Sequence, residues 1–189
     1  MVLGSHNSWS YFPCRKWWLK PFAFMAKCQR VNILQQYALG VRCFDLRVRF
    51  NKNKLIVAHG LMEYAIEEGT LLDQLKMLDD FGNCYVRVIH EARNSKQYSY
   101  ESIASFKNFC QYLQETYKNI IFWCGRNLVD WTIDYKFPTE PSCEEKYSSV
   151  CFPKTIDDWW PWLYAKLHNK KIKKYGTEKR ILLIDYVDI

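Results

Sequence analysis

The chain has no run of about 18 apolar residues, so nothing in it reads as a membrane-spanning helix. Its first residues, Met1-Val2-Leu3-Gly4-Ser5-His6, carry neither a charged leader region nor a long apolar stretch, so no signal peptide is read and a cytoplasmic or peripheral-membrane location is expected. No GxGxxG or phosphate-loop glycine run occurs, which argues against dinucleotide and nucleoside-triphosphate binding. There is no CxxC pair and no Cys/His spacing of the zinc-finger kind. Internal repeats, low-complexity linkers and a second domain are also missing.

What is present is a single-domain composition. The 189 residues are 49% hydrophobic and 17% aromatic, which suits one globular domain over 1–189 rather than a disordered chain. Of the eight cysteines, Cys43, Cys84 and Cys124 sit in or beside strand-like runs and Cys110 in a helical pattern. Reduced, buried thiols are expected, with Cys143 and Cys151 the exceptions. The formal net charge of +7 suits an anionic partner, whether phosphate, acidic lipid or nucleic acid. Part of it is the basic run from Lys166 to Lys174, which reads most simply as a solvated helix face and is weak support for nucleic acid.

The most informative stretch is Gly40-Val41-Arg42-Cys43-Phe44-Asp45-Leu46-Arg47-Val48-Arg49-Phe50. Read as a strand, it puts Phe44, Leu46, Val48 and Phe50 on one face and Cys43, Asp45, Arg47 and Arg49 on the other. Charges on an inner strand face are costly unless paired. After a tight loop at Asn51-Lys52-Asn53, a second strand places Leu55, Val57 and His59 on one face. An Arg and a His are thus expected to point into one polar pocket.

Along the chain, residues 2–7 read as a short strand. The aromatic and basic segment 9–26 follows, and then a helix over 28–39 with Val31, Leu34, Gln35, Ala38 and Leu39 near one face and Gly40 as its stop. Strands are expected at 41–50, 54–59, 84–91, 119–125 and 181–186, and helices at about 68–80, 100–117 and 156–174. Strands separated by helices of this length mean a parallel α/β sheet. Polar residues gather at strand C-terminal ends: His6, Asp45, Arg47, His59, Glu91, Arg126 and Asp185. First and last strands both ending in polar residues favour a small, distorted or incomplete TIM-type (β/α) barrel over an open sheet.

Two histidines, an arginine and carboxylates around one mouth can cleave a phosphodiester. A neutral His takes a proton from the attacking oxygen, a protonated His gives one to the leaving oxygen, and a guanidinium stabilises the charge between them. Each residue alone has a plain alternative: His6 as a loop residue, His59 as a turn histidine, Asp45 and Arg47 as a structural pair. Their coincidence at strand ends favours chemistry. A metal held by Asp45, Glu91 and Asp185 is opposed by Arg47 beside them.

The blocks Gly4-Ser5-His6-Asn7-Ser8, Gly40 to Arg47 and Val57-Ala58-His59-Gly60 resemble, in order and spacing, the X-domain family of phosphatidylinositol-specific phospholipase C. The resemblance is strong over residues 2–60 and weaker beyond. It implies a distorted TIM-type barrel and attack of the inositol 2-hydroxyl on a glycerophosphoinositol phosphodiester, giving a cyclic phosphate. It implies His6 as general base, His59 as general acid, Arg47 as the phosphate-binding group of the metal-independent branch and Asp185 as the carboxylate orienting His6. No cofactor is then expected, with a divalent cation such as Ca or Mg the alternative. Glu91 falls where the family places a substrate-side or metal-side Glu, and Glu145, Tyr147 and, more weakly, Arg126 resemble sugar-binding positions. Asn7 stands where the bacterial enzymes have an Asp that assists the acid step, and an amide supplies no charge. The chain is also short, with about seven strands countable.

Trp17, Trp18, Phe22 and Phe24, flanked by Arg15, Lys16 and Lys20, fit either an interfacial membrane anchor or a packed lid. Trp159, Trp160 and Trp162 read as core and rim packing. The expected substrate is a phosphoinositide. The rivals are the same chemistry on a soluble phosphodiester, an inactive barrel binding anionic lipid, and a nucleic-acid binder resting only on charge and aromatics.

Overall fold

The computed structural model describes residues 2–51, 53–91, 99–123, 143–144, 160–175 and 181–189. Its centre is a strongly curled sheet of eight strands. Strand β1 (Val2–Ser5) leads through a 3-10 helix (Trp17–Met25) and helix α1 (Ile33–Ala38) to β2 (Cys43–Asn51). Then come β3 (Lys54–His59), β4 (Met62–Glu63), α2 (Glu68–Phe81), β5 (Cys84–His90), α3 (Tyr100–Thr116), β6 (Ile120–Trp123), β7 (Cys143–Glu144), α4 (Pro161–Tyr175) and β8 (Ile181–Ile184).

Six strands run parallel in the order β6-β5-β2-β1-β8-β7. First and last strands pair, with Ser5 opposite Ile184 and Gly4 opposite Leu183. Among the described residues no ladder joins β6 to β7, so the barrel is incomplete, as expected. Strand β3 is a hairpin return: it pairs antiparallel with β2, Val57 opposite Val48, because the loop between them is too short for a helical crossover. His59 therefore arrives from the opposite direction, and Asp45 and Arg47 lie mid-strand rather than at the end of β2.

The elements follow from the apolar pattern. Phe44, Leu46 and Val48 of β2 are fully buried and pack into one core with Leu71, Leu75 and Leu78 of α2 and Phe106, Cys110 and Leu113 of α3. Helix α2 stops at Gly82, whose φ of +68° ends the helical path, and α3 starts at the Ser99 cap, which accepts from the Ser102 amide. Close approach of β1 to its neighbours requires Gly4: a Cβ there would meet Leu183 Cδ2 at 2.5 Å and Cys43 Cβ at 3.2 Å.

One expectation is corrected. The helix expected over 28–39 is only Ile33–Ala38, opened by a capping box between Asn32 and Gln35. Its buried residues are Ile33 and Gln36, while Leu34 and Leu39 are about half exposed. The Gln36 amide is drawn inward because it donates to the Ser8 and Val31 carbonyls, which the hydrophobic pattern alone does not register. Trp160, read as core or rim packing, lies at the rim, exposed and meeting Phe24 edge-on at 5.6 Å. Trp159, Cys124, Cys151 and the side chain of Cys143 lie outside the described residues. Cys14, Cys28, Cys43, Cys84 and Cys110 are buried. No described helix is long and apolar enough to cross a membrane.

Candidate active site

The site is built on the ends of β1 and β8, the middle of β2 and the end of β3. As β1 ends, the chain turns at Asn7, whose φ is +45°. The turn is locked from below: Ser8 Oγ bonds Ser5, the Asp45 amide donates to Ser8 Oγ at 2.7 Å, and the Asn7 amide donates to Asp45 Oδ2 at 2.9 Å. Gln29 closes it from the side by donating to the carbonyls of His6 and Ile184. These bonds fix the direction in which His6 leaves the strand.

His6 is buried, and both its ring nitrogens have partners. Nδ1 lies 2.7 Å from Asp185 Oδ1 and Nε2 lies 2.8 Å from Arg47 Nη2. A carboxylate accepts at Nδ1, so the proton sits there and Nε2 presents a lone pair. Asp185 is itself fully buried, and its backbone carbonyl accepts from Asn169 of α4.

Arg47 is held in a fork. Its Nε donates to Asp45 Oδ2 at 2.9 Å, and Nη1 is 3.5 Å from Glu91 Oε2. Asp45 also accepts from Arg87 Nε at 2.7 Å. Burial pushes the Asp45 carboxyl up, but Arg47 and then Arg87 outweigh it and hold the group well below the usual carboxylate range. Both oxygens of Asp45 are engaged within the protein, where the group holds Arg47 Nε in place. Glu91 accepts from the Gly60 amide at 2.8 Å. Despite burial, Arg47 and then His59 hold its carboxyl below the ordinary value.

His59 faces His6, with ring centroids 5.4 Å apart and the rings at 89°. Its Nδ1 lies 3.2 Å from the Ala26 carbonyl and 3.9 Å from Cys28 Sγ. Burial first, and the Arg47 charge second, lower its pKa from 6.5 to about 4. The Asn7 side chain does not reach His59. It donates to Tyr64 Oη at 3.0 Å and to the Ala26 carbonyl, to which Tyr64 also donates. Asn7 and His59 thus share one carbonyl instead of a direct bond.

Of the residues the strand reading singles out, the structure places His6, Arg47, His59, Glu91 and Asp185 in one cluster. Arg126, Glu145 and Tyr147 lie outside the described residues. Trp17, Trp18 and Phe22 are 74%, 55% and 55% exposed, away from the core. In the same 3-10 helix, Leu19 and Ala23 pack against the core. Arg87, Cys28 and Tyr64 were missed. For Arg87 the signal was available, since it repeats the inward charge of β2 on the next strand. Cys28 and Tyr64 lie in segments without periodicity.

No protein-family model matches the sequence, and no curated protein matches it. Solved structures do. The phosphatidylinositol-specific phospholipase C of Listeria monocytogenes superposes with a TM-score of 0.66 at 15% identity, over 98% of this chain and 87% of that one. The Staphylococcus aureus phosphatidylinositol-specific phospholipase C gives 0.62 at 18% identity, over 98% and 85%. A double mutant of the same S. aureus enzyme gives 0.61 at 20%, over 98% and 84%.

The chain has the phosphatidylinositol-specific phospholipase C fold. The incomplete barrel of the described strands agrees with that likeness, and so does the α/β barrel read from the sequence. At this identity the likeness speaks for the fold, and the chemistry has to be argued from the residues themselves.

Proposed function

We propose that the chain is a phosphodiesterase of the phospholipase C type that acts on a phosphoinositide-like lipid without a bound metal. The observation that carries this is the row Asp185–His6–Arg47, with His59 across from it. His6 Nε2 takes the proton of the attacking hydroxyl, the inositol 2-hydroxyl in the lipid substrate. That oxygen bonds to phosphorus as the bond to the glycerol oxygen breaks. Protonated His59 gives its proton to the departing oxygen, so that a cyclic phosphodiester and diacylglycerol leave. Arg47 turns from His6 to the phosphoryl oxygens as charge builds on them, while Asp45 keeps its Nε in place. Asp185 stabilises the imidazolium that forms at His6. Glu91 is proposed to hold Gly60 and so the reach of His59. Arg126, Glu145 and Tyr147 are proposed as head-group contacts.

Membrane contact is supported by the exposed aromatics. Trp17, Trp18, Phe22, Phe24 and Trp160 form an apolar rim beside basic Arg15, Lys16 and Lys20. A second reading, an inactive barrel that binds anionic lipid, draws on the neutral, carboxylate-free Nδ1 side of His59.

Phosphorus NMR of the products from phosphatidylinositol micelles in excess chelator tests the proposal. Wild type is expected to make a cyclic inositol phosphate and His59→Ala is not. Absence of product from wild type, on this and on soluble phosphodiesters, leaves the binding-only reading.

A further inference from the structure

Cys28 takes no part in the proton transfers proposed above, yet it stands inside the site. It is fully buried, at the end of the segment that leaves the 3-10 helix, with its Sγ 3.9 Å from His59 Nδ1. Burial first, and the neighbouring Asp185 charge second, push its thiol well above the ordinary value, so it is protonated in the metal-free protein. His6, Cys28 and His59 each offer one donor atom, and the three atoms lie within 4.8 Å of one another. A tetrahedral ion with bonds of about 2.0–2.3 Å needs donors roughly 3.3–3.8 Å apart. Shifts of a few tenths of an ångström to about one ångström therefore close the set. Two imidazoles and a thiolate are the donors that Zn(II) prefers and that Ca(II) and Mg(II) refuse. The Asp185 contact to His6 Nδ1 is the outer carboxylate commonly found behind a metal-binding histidine. Arg47 opposes a cation by its charge and by its bond to the same His6 lone pair, but Asp45 and Glu91 are there to retain the guanidinium when it is displaced.

We propose that His6, Cys28 and His59 form a binding site for a soft divalent cation, Zn(II) above all, whose occupancy switches the phosphodiester site off. The binding half stands on the donor geometry, and the inhibitory half rests on the phosphodiesterase reading. Loading releases the thiol proton to solvent and leaves both imidazoles neutral, so the bound ion removes the base and the acid together.

Co(II) titration of the full chain provides a test that needs no activity. Wild type is expected to bind one Co(II), with a thiolate-to-metal charge-transfer band in the near ultraviolet and strong tetrahedral bands in the visible, all erased by added Zn(II). Cys28→Ala is expected to lose the charge-transfer band and at least about 100-fold in Zn(II) affinity by calorimetry. His59→Gln, a second variant should Cys28→Ala not fold, is expected to lose the tetrahedral bands. A wild-type titration without a thiolate band, or Zn(II) affinity in Cys28→Ala within about threefold of wild type, overturns the site. If the band appears while no phosphodiester is cleaved, the metal site stands and the enzymatic reading falls. Cleavage that Zn(II) leaves untouched, with no band, does the reverse.

Discussion

Asp45→Asn is the perturbation on which the electrostatic argument bears hardest. The wild-type carboxylate accepts from Arg47, Arg87 and the Asn7 amide at 2.7–2.9 Å, with no solvent contact. The amide keeps the shape, removes the charge and turns an NH2 group towards a guanidinium. Removing the carboxylate that two buried guanidiniums share, with Glu91 left as a partner for Arg47, costs about 3–5 kcal/mol. That is a large part of a domain stability of about 5–15 kcal/mol. Urea denaturation followed by circular dichroism at pH 7 reads it directly as a lowered midpoint at an unchanged slope. The double variant Asp45→Asn/Arg87→Met removes one stranded charge and is expected to recover about 1–3 kcal/mol relative to additivity. The pH dependence supplies a second check. The folded carboxyl lies below its unfolded value, so the unfolded chain binds more protons in acid. The Asp45 contribution is therefore complete above about pH 4 and is lost as pH falls further. Asp45→Asn is expected to flatten the acid limb of the stability curve. A loss under about 1 kcal/mol, with strict additivity in the double variant, refutes the reasoning.

Four further outcomes are expected. His6→Ala and His59→Ala each lower turnover by roughly 100-fold or more, measured by product release from mixed micelles, and equal activity in His6→Ala removes the proposed mechanism. Because burial lowers the His59 pKa to about 4, its acid form is scarce at neutral pH, so kcat/KM falls with rising pH on the acid side of neutrality. Asn7→Asp moves that limb up, by about one to three units where the new carboxylate lies within about 4–6 Å of the ring. Gly4→Ala drives a methyl into Leu183 and costs about 1–3 kcal/mol in thermal or urea denaturation. Trp17→Ala with Trp18→Ala weakens partition into anionic vesicles by about tenfold or more, in a sedimentation assay, while hydrolysis of a monomeric soluble substrate is unchanged.

The alternation of β2 was legible in the chain because side-chain direction in a strand repeats every second residue, whatever the partner. It placed Asp45, Arg47 and Arg49 on the polar side and Phe44, Leu46 and Val48 in the core. The leucine spacing of α2 is local in the same sense. Residue types and order also carried the resemblance of the His6, Arg47 and His59 blocks, and with it the barrel. Partners were another matter. His6 and Asp185 are 179 positions apart, and only the parallel pairing of β1 with β8 puts them side by side. The arrival of His59 by a returning hairpin, the division of Asp45 between Arg47 and Arg87, and the rerouting of Asn7 to Tyr64 depend on strand register and on which buried donors remain to be satisfied. Neither has a period that a chain can display. The approach of Cys28 to both histidines is the extreme case: residues 6, 28 and 59 share no spacing rule, and only the closing of the sheet around them makes one cluster.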